Sequence, residues 1–419
     1  MTSAAAARLR PMAERYVRPE WVQRVNAMAE AAGGAEHVVP IDADELLAAA
    51  LGSLGTSDPT VFGDLGDGDW EGRFRALVAG IADAGLHVVG RLQTREELLR
   101  CLRTRAHLHA ALAEDPAIAD EEIRAPMVVT GPARSGTTIL FELLGLDPEL
   151  QVPTAADVLH PAHPAGEAER LAMTSCEQEL WADVQPEFAA IHELRSDLPV
   201  ECVTIGAPSF AGPHWTMVLE DLGTWLPDAA TDLRFHRLVL QTTQRRRGSD
   251  ARWLLKTPGY LMVLDELFAA YPDAEVVVTH RDPAKTMPST VSTTAMVRWL
   301  RADRLDLDGL SALIRAVFVD AIGSVARRRA AGEWSGRFGD VRFRDLMTNP
   351  VDAVRRAYAQ LGRPLADDHA TAILDYLRDK PQGKFGRHAY TAEDWGFGAD
   401  EVRSDLAEYL AAYDVDLEP

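Results

Sequence analysis

Residues 127–142, MVVTGPARSGTTILFE, hold the densest chemistry in the chain. An apolar run ends at Gly131, a turn bearing Arg134 and Ser135 closes on Gly136, and Thr137 and Thr138 open an amphipathic helical pattern. The glycines let the backbone bend where a side chain would clash, so successive N–H groups can turn inward on an anion. The positive end of the following helix favours the same anion, and the hydroxyls of Ser135, Thr137 and Thr138 add donors at its first turn. The spacing is close to Gly-x-x-x-x-Gly-Lys-Ser/Thr, a loop that cradles nucleotide phosphates, but Thr137 stands in the lysine position and the cation comes earlier, at Arg134. Hydrolysis of a nucleoside triphosphate needs that lysine on the β and γ phosphates, so the loop points to a different phosphorylated ligand.

A cradle of this kind needs a rigid sheet behind it. From residue 126 onward the pattern alternates short apolar runs with helical stretches. Strands are expected at 127–130, at 252–255 ending in Lys256, at 275–279 ending in His280-Arg281-Asp282, and at 341–343 before a helix at 352–361. This alternation predicts an α/β fold with a P-loop-like parallel β-sheet flanked by helices. Ligands of such sheets bind beyond the carboxyl ends of the strands, where the cradle, Lys256 and Arg281 all fall. An arginine placed there offers a planar fork that takes phosphate oxygens through two parallel hydrogen bonds. His280-Arg281-Asp282 also matches the first letters of a kinase catalytic loop, but the leucine and downstream asparagine that complete that motif are missing.

Residues 1–125 read as a helical accessory or cap region, with helices expected at 43–54 after Asp42, at 74–84, and at 94–113, where Leu98, Leu99, Leu102 and Leu108 recur at helical spacing. The α/β domain then spans 126–419 and is interrupted by a helical insertion at 151–250, broken at Pro186 and Pro227. Insertions at the carboxyl edge of a sheet form walls or lids of substrate sites, which makes Trp181, Phe188, Phe210, Trp215 and Trp225 candidates to line an acceptor pocket.

With 419 residues and 47% hydrophobic content the chain can bury a large core. Its 43 Lys and Arg against 64 Asp and Glu give a formal charge of -21, which excludes a broad nucleic-acid or anionic-membrane surface. The arginine runs at 245–247 and 327–329 read as solvated helix ends without a function of their own. Cys101, Cys176 and Cys202 lack metal-ligand spacing, so neither a disulfide scaffold nor a metal site is expected. No run reads as a membrane span, and Arg, Glu and Pro interrupt the first twenty residues before a signal-like core develops; a cytosolic protein is expected, its oligomeric state left open.

With Gly131, Arg134, Ser135, Gly136, Thr137 and Thr138 in place, the cradle resembles the 5′-phosphosulfate loop of sulfotransferases that use 3′-phosphoadenosine 5′-phosphosulfate (PAPS), whose bacterial members often read Gly-x-x-Arg-Ser-Gly-Thr-Thr. Residues 253–258, WLLKTP, resemble the family's Lys-Ser/Thr-Pro segment, and VTHRDP with Ser289 and Ser292 resembles its 3′-phosphate segment. The resemblance implies that Arg134 and Lys256 stabilise charge on the leaving 5′-phosphate, and that Arg281 and Ser289 hold the ribose 3′-phosphate. QGKFGRHAY at 382–390 resembles a closing loop over the nucleotide, with Lys384 and Arg387 as further phosphate contacts. Family members place a histidine base two residues after the lysine or two beyond the following proline; here Pro258 and Tyr260 occupy those positions. PTAAD at 153–157 resembles the family's Pro-x-x-x-Glu context, so Asp157 is the expected base, with His160, His192 and Glu201 expected to hold the acceptor or to help the base. The implied activity is sulfuryl transfer from PAPS to a hydroxyl of a small organic acceptor, whether sterol, lipid, phenol or carbohydrate, without a metal. The rival readings are a P-loop kinase or nucleotide hydrolase with a degenerate loop, and a nucleotide-binding module that has lost its base.

Overall fold

The computed structural model describes residues 9–190, 194–220, 223, 225–379 and 391–418. Strand β1 spans Met127–Thr130 and is buried at every position. A parallel strand covered on both faces requires such an unbroken apolar run, and β4, Glu275–His280, repeats it with three consecutive valines. With β2 (Leu150–Gln151), β3 (Arg252–Lys256) and β5 (Phe338–Arg342) these form a parallel sheet of order β2-β3-β1-β4-β5. The chain runs from β1 to one side through β2 and β3, then crosses to β4 on the other, so the order reverses at β1. A crevice opens above the carboxyl ends at such a reversal.

Three strands lie where the sequence places them. The expected strand at 341–343 instead begins at Phe338 and ends at Arg342, because Phe343 opens the helix Phe343–Thr348. At two residues β2 is too short to show alternation; Leu150 pairs with Arg252 and Gln151 with Trp253.

Side chains leave the sheet alternately, and each face has its own core. Val128, Leu255, Val276 and Val278 face a large cluster that also holds Leu98, Leu102 and Leu108 of the helix Val88–Glu114. Hydrophobic packing therefore continues without interruption from the N-terminal helices to the sheet. Met127, Val129, Leu254 and Val277 face a second cluster with Leu140, Leu143 and Val354. Phe210, Trp215 and Trp225 are buried in the first cluster and do not line the large cavity, a departure from the expectation that they line a pocket.

The helix starts that matter are capped. Asp42 accepts the N–H groups of Asp44 and Glu45 at 3.0 Å each, ahead of the helix Ala43–Ser53. Asp282 accepts from Ala284 N–H at 3.0 Å, and Pro283 supplies the fixed first-turn dihedral of the helix Pro283–Trp299. The chain thus passes from strand to helix within two residues, and Arg281 is held at the carboxyl end of β4.

The arginine runs also differ from the expected solvated ends. Arg329 pairs with Asp340 of β5 at 2.8 Å, while Arg246 and Arg247 reach a buried carboxylate described below. Among the described residues the helix Leu307–Ala330 is long and apolar enough to cross a membrane by length and composition, which the reading of the sequence did not anticipate. It places Leu310, Ile314, Ile322 and Val325 in the large core.

Candidate active site

The cradle has the backbone its glycines imply. Gly131 takes φ +140°, and a Cβ there would stand 2.3 Å from Thr279 Oγ1, so a side chain at this position would collide with β4. Gly136, at φ +97°, caps the helix Thr137–Leu144. Arg134 also lies in the left-handed region at φ +67°, a cost that non-glycine residues bear mostly at ligand sites. Ser135 behaves differently from the expected phosphate donor. It is buried, its N–H and hydroxyl both engage the Pro132 carbonyl, and its Oγ meets Thr279 Oγ1 at 2.5 Å. Its side chain braces the loop against β4.

Lys256 ends β3 with its side chain 2% exposed. Its Nζ donates to Thr138 Oγ1 at 3.1 Å and to Glu201 Oε1. Burying an ammonium is costly unless it is paired, and Glu201 supplies the pairing charge. The Lys256 N–H donates to Cys202 Sγ at 3.4 Å, fixing the segment that carries Glu201 against the strand end. Burial pushes the Cys202 thiol up to about 12, so it is no nucleophile.

Arg281 gives Nη1 to the Arg134 carbonyl at 2.7 Å, lies 3.8 Å over the Phe343 ring, and pairs with Glu418. Ser289, eight residues along the adjoining helix, is fully buried, and its Oγ has no hydrogen-bond partner among the described residues. Buried hydroxyls of that kind are uncommon in folded proteins. Arg281 lines the large cavity, whereas Ser289 does not.

The expected base, Asp157, is tied into the structure around it. Asp157 is the third residue of a capping box: Thr154 Oγ1 donates to its Oδ2 at 2.7 Å and Thr154 N–H at 3.0 Å. Arg246 and Arg247 pair with its two oxygens, and Arg170 lies 3.5 Å away. Burial alone would push this carboxyl up, but Arg247, the Thr154 bonds and Arg246 outweigh it and hold it below the usual aspartate range. A carboxylate so held is a poor proton acceptor, and Asp157 does not line the cavity.

That cavity, about 2060 Å³, brings Arg134, Gly136, Thr137, Thr138, Lys256 and Arg281 to one space with Glu201 and His160. Much of its wall is apolar, including Val89, Leu92, Trp181, Phe188, Met217 and Ile314. It also carries a charged belt of which the sequence reading named only His160. His160 Nε2 meets Glu177 at 2.9 Å, Glu177 meets Arg100 at 3.0 Å, and Glu97 joins His214 at 2.9 Å and Arg301 at 3.0 Å. Burial pushes the Glu97 carboxyl up, but Arg301 and His214 outweigh it and hold it well below the usual range. The signal was present as Gln93, Glu97, Arg100 and Thr104, spaced along one face of a helix, a pattern that ordinarily marks a solvated side. His192, Lys384 and Arg387 lie outside the described residues.

Against known proteins, the model of a family described as the sulfotransferase family matches residues 126–367. The omega-hydroxy-beta-dihydromenaquinone-9 sulfotransferases Stf3 of Mycobacterium bovis and Mycobacterium tuberculosis are each 27% identical over 282 residues, covering 64% of this chain and 70% of theirs. Among solved structures, sulfotransferase STF9 from Mycobacterium avium superposes with a TM-score of 0.73 at 24% identity, over 90% of this chain and 98% of that one. Sulfotransferase STF1 from Mycobacterium tuberculosis H37Rv gives 0.69 at 26% identity, over 87% and 98%.

Proposed function

The chain belongs to the sulfotransferase family, and from that premise we propose that it transfers the sulfuryl group of PAPS to a hydroxyl of a large, mainly apolar alcohol seated in the cavity. The observation that carries this reading is the convergence on Lys256. A buried ammonium, the hydroxyl of Thr138 at the start of the cradle helix and the carboxylate of Glu201 meet beside the cradle and face one cavity.

In this reading the cradle N–H groups and Arg134 hold the 5′-phosphosulfate, and Arg281 holds the ribose 3′-phosphate, with Ser289 as its expected companion. Transfer needs an in-line hydroxyl, a base for its proton, and positive charge where the bridging oxygen becomes anionic. Lys256 supplies that charge. As it turns from Glu201 toward the leaving oxygen, its hold on the Glu201 carboxylate weakens, and that carboxylate becomes more basic and accepts the hydroxyl proton. Glu201 therefore replaces Asp157 as base. His160, fixed by Glu177, serves the acceptor side.

The cavity exceeds the roughly 300–1,000 Å³ of ordinary ligand pockets, and its apolar wall suits an alcohol with a long hydrocarbon body. The Stf3 relatives, named for a hydroxylated menaquinone, point the same way. The test is transfer of labelled sulfate from PAPS, without added metal, to long-chain and polyprenyl alcohols beside phenols and sugars. Labelled long-chain sulfate esters are expected; label on sugars alone, or on nothing, would refute the acceptor reading or the activity.

A further inference from the structure

Arg281 is already engaged on the side a phosphate would use. Its Nε and Nη2 donate to the two carboxylate oxygens of Glu418 at 2.6 and 2.7 Å, a bidentate pair on the edge that suits phosphate oxygens equally well. The remaining nitrogen, Nη1, stays on the Arg134 carbonyl, and the Phe343 ring backs the guanidinium. Those two contacts would keep the guanidinium in place whichever anion it holds.

Glu418 belongs to a docked tail. Its N–H donates to Asp282 at 2.8 Å, and Arg403 donates to its carbonyl at 2.6 Å. Asp416 meets Arg344 at 2.6 Å, and Asp414 meets Arg342. Acids at every second position, 414, 416 and 418, thus meet three arginines, two of which are themselves two residues apart. The outer pairs are exposed, with the Asp414 side chain at 91% and that of Arg344 at 61%, and pairs of that kind add little. Arg281–Glu418 is the one of the three pairs in which both side chains are sheltered, at 19% and 28%, whereas Arg342 and Asp416 are at 31% and 30% beside exposed partners. The tail is seated by many contacts, few of them strong.

We infer that the Glu418 carboxylate and the 3′-phosphate of the donor compete for one edge of Arg281, which makes the acidic segment 414–418 an intramolecular brake on donor binding. The inference rests on the proposed role of Arg281. A phosphate brings more charge than a carboxylate and displaces it, but the tail is tethered, so the apparent donor affinity is lowered by the fraction of protein in which Arg281 is taken. Only ligands bearing a 3′-phosphate sense the brake.

The experiment is calorimetric titration of the full chain, its Glu418→Gln and Glu418→Ala variants, with 3′,5′-adenosine bisphosphate and with adenosine 5′-monophosphate. Both variants are expected to bind the bisphosphate roughly five- to tenfold more tightly, within the usual range of coupling between sites, and the monophosphate unchanged. Should either variant fail to fold, Asp416→Asn loosens the same tail and gives a smaller shift of the same sign. An unchanged bisphosphate affinity overturns the competition. Weaker bisphosphate binding means Glu418 positions Arg281, and equal tightening of both ligands means a bulk charge effect; each overturns it too. If the wild-type chain binds no bisphosphate, the donor reading itself falls and takes the brake with it.

Discussion

At the end of the cavity that the proposal gives to the donor, Lys256, Arg281 and the cradle that starts at Gly131 each lie within one residue of the carboxyl end of a strand, and the sheet sets their spacing. At the acceptor end the wall comes from Leu92 and Arg100 on one helix, Glu177 and Trp181 on another, Met217 on a third and Ile314 on a fourth, all far apart in the chain. The first region is fixed by local rules: a turn that only glycine allows, a capped helix start and the switch in strand order. The second depends on how whole helices pack. On the proposed reading the donor end is therefore built to hold one ligand, whereas the acceptor end can be reshaped by single side chains.

Substitutions should separate the two regions. Lys256→Ala removes the buried positive charge and is expected to slow sulfuryl transfer by roughly a thousandfold, the upper scale for losing one transition-state donor; single-turnover rates would show it, and a loss under tenfold would remove Lys256 from the chemistry. Glu201→Gln keeps the shape but not the base, so turnover should fall roughly a hundredfold while affinity for 3′,5′-adenosine bisphosphate holds. An unaltered rate would shift the base to His160. Ile314→Trp narrows the apolar wall and should raise KM for a long-chain alcohol about tenfold with donor affinity intact; equal losses on both ligands would blur the division between the ends.

The smallest effect on chemistry is expected at Asp157. Asp157→Asn should leave the turnover of folded protein near wild type yet cost about 3 kcal/mol of stability, because it leaves arginines around a neutral amide. Its pH dependence follows from the depressed carboxyl. As pH falls below the ordinary aspartate value the unfolded chain takes up the proton first, so the stabilisation is complete above that value and is lost as pH falls toward the lower folded one. Denaturant melts of the variant should therefore show a shallower acid-side slope than the wild type.

This contrast also explains what could be read from the sequence. The cradle, Lys256 and Arg281 were legible because a strand end plus a glycine or a cap specifies position within a few residues. The surroundings of Asp157 were not legible because a short motif cannot show that Arg246 and Arg247, 89 and 90 residues on, converge on it. The belt of Glu97, Arg100 and Glu177 went unseen because a polar helix face looks the same toward solvent as toward a cavity. Ser135 matched the motif, yet its hydroxyl turns to Thr279, a contact that the order of residues alone does not reveal.

The most direct test of the central claim is a calorimetric titration of the wild-type chain with 3′,5′-adenosine bisphosphate, without metal, beside one with ATP and magnesium, repeated on Arg281→Ala. The account predicts binding of the bisphosphate, with the Arg281→Ala loss much larger for it than for adenosine 5′-monophosphate. Binding of ATP with magnesium alone, or equal losses on the two adenosine ligands, would contradict it.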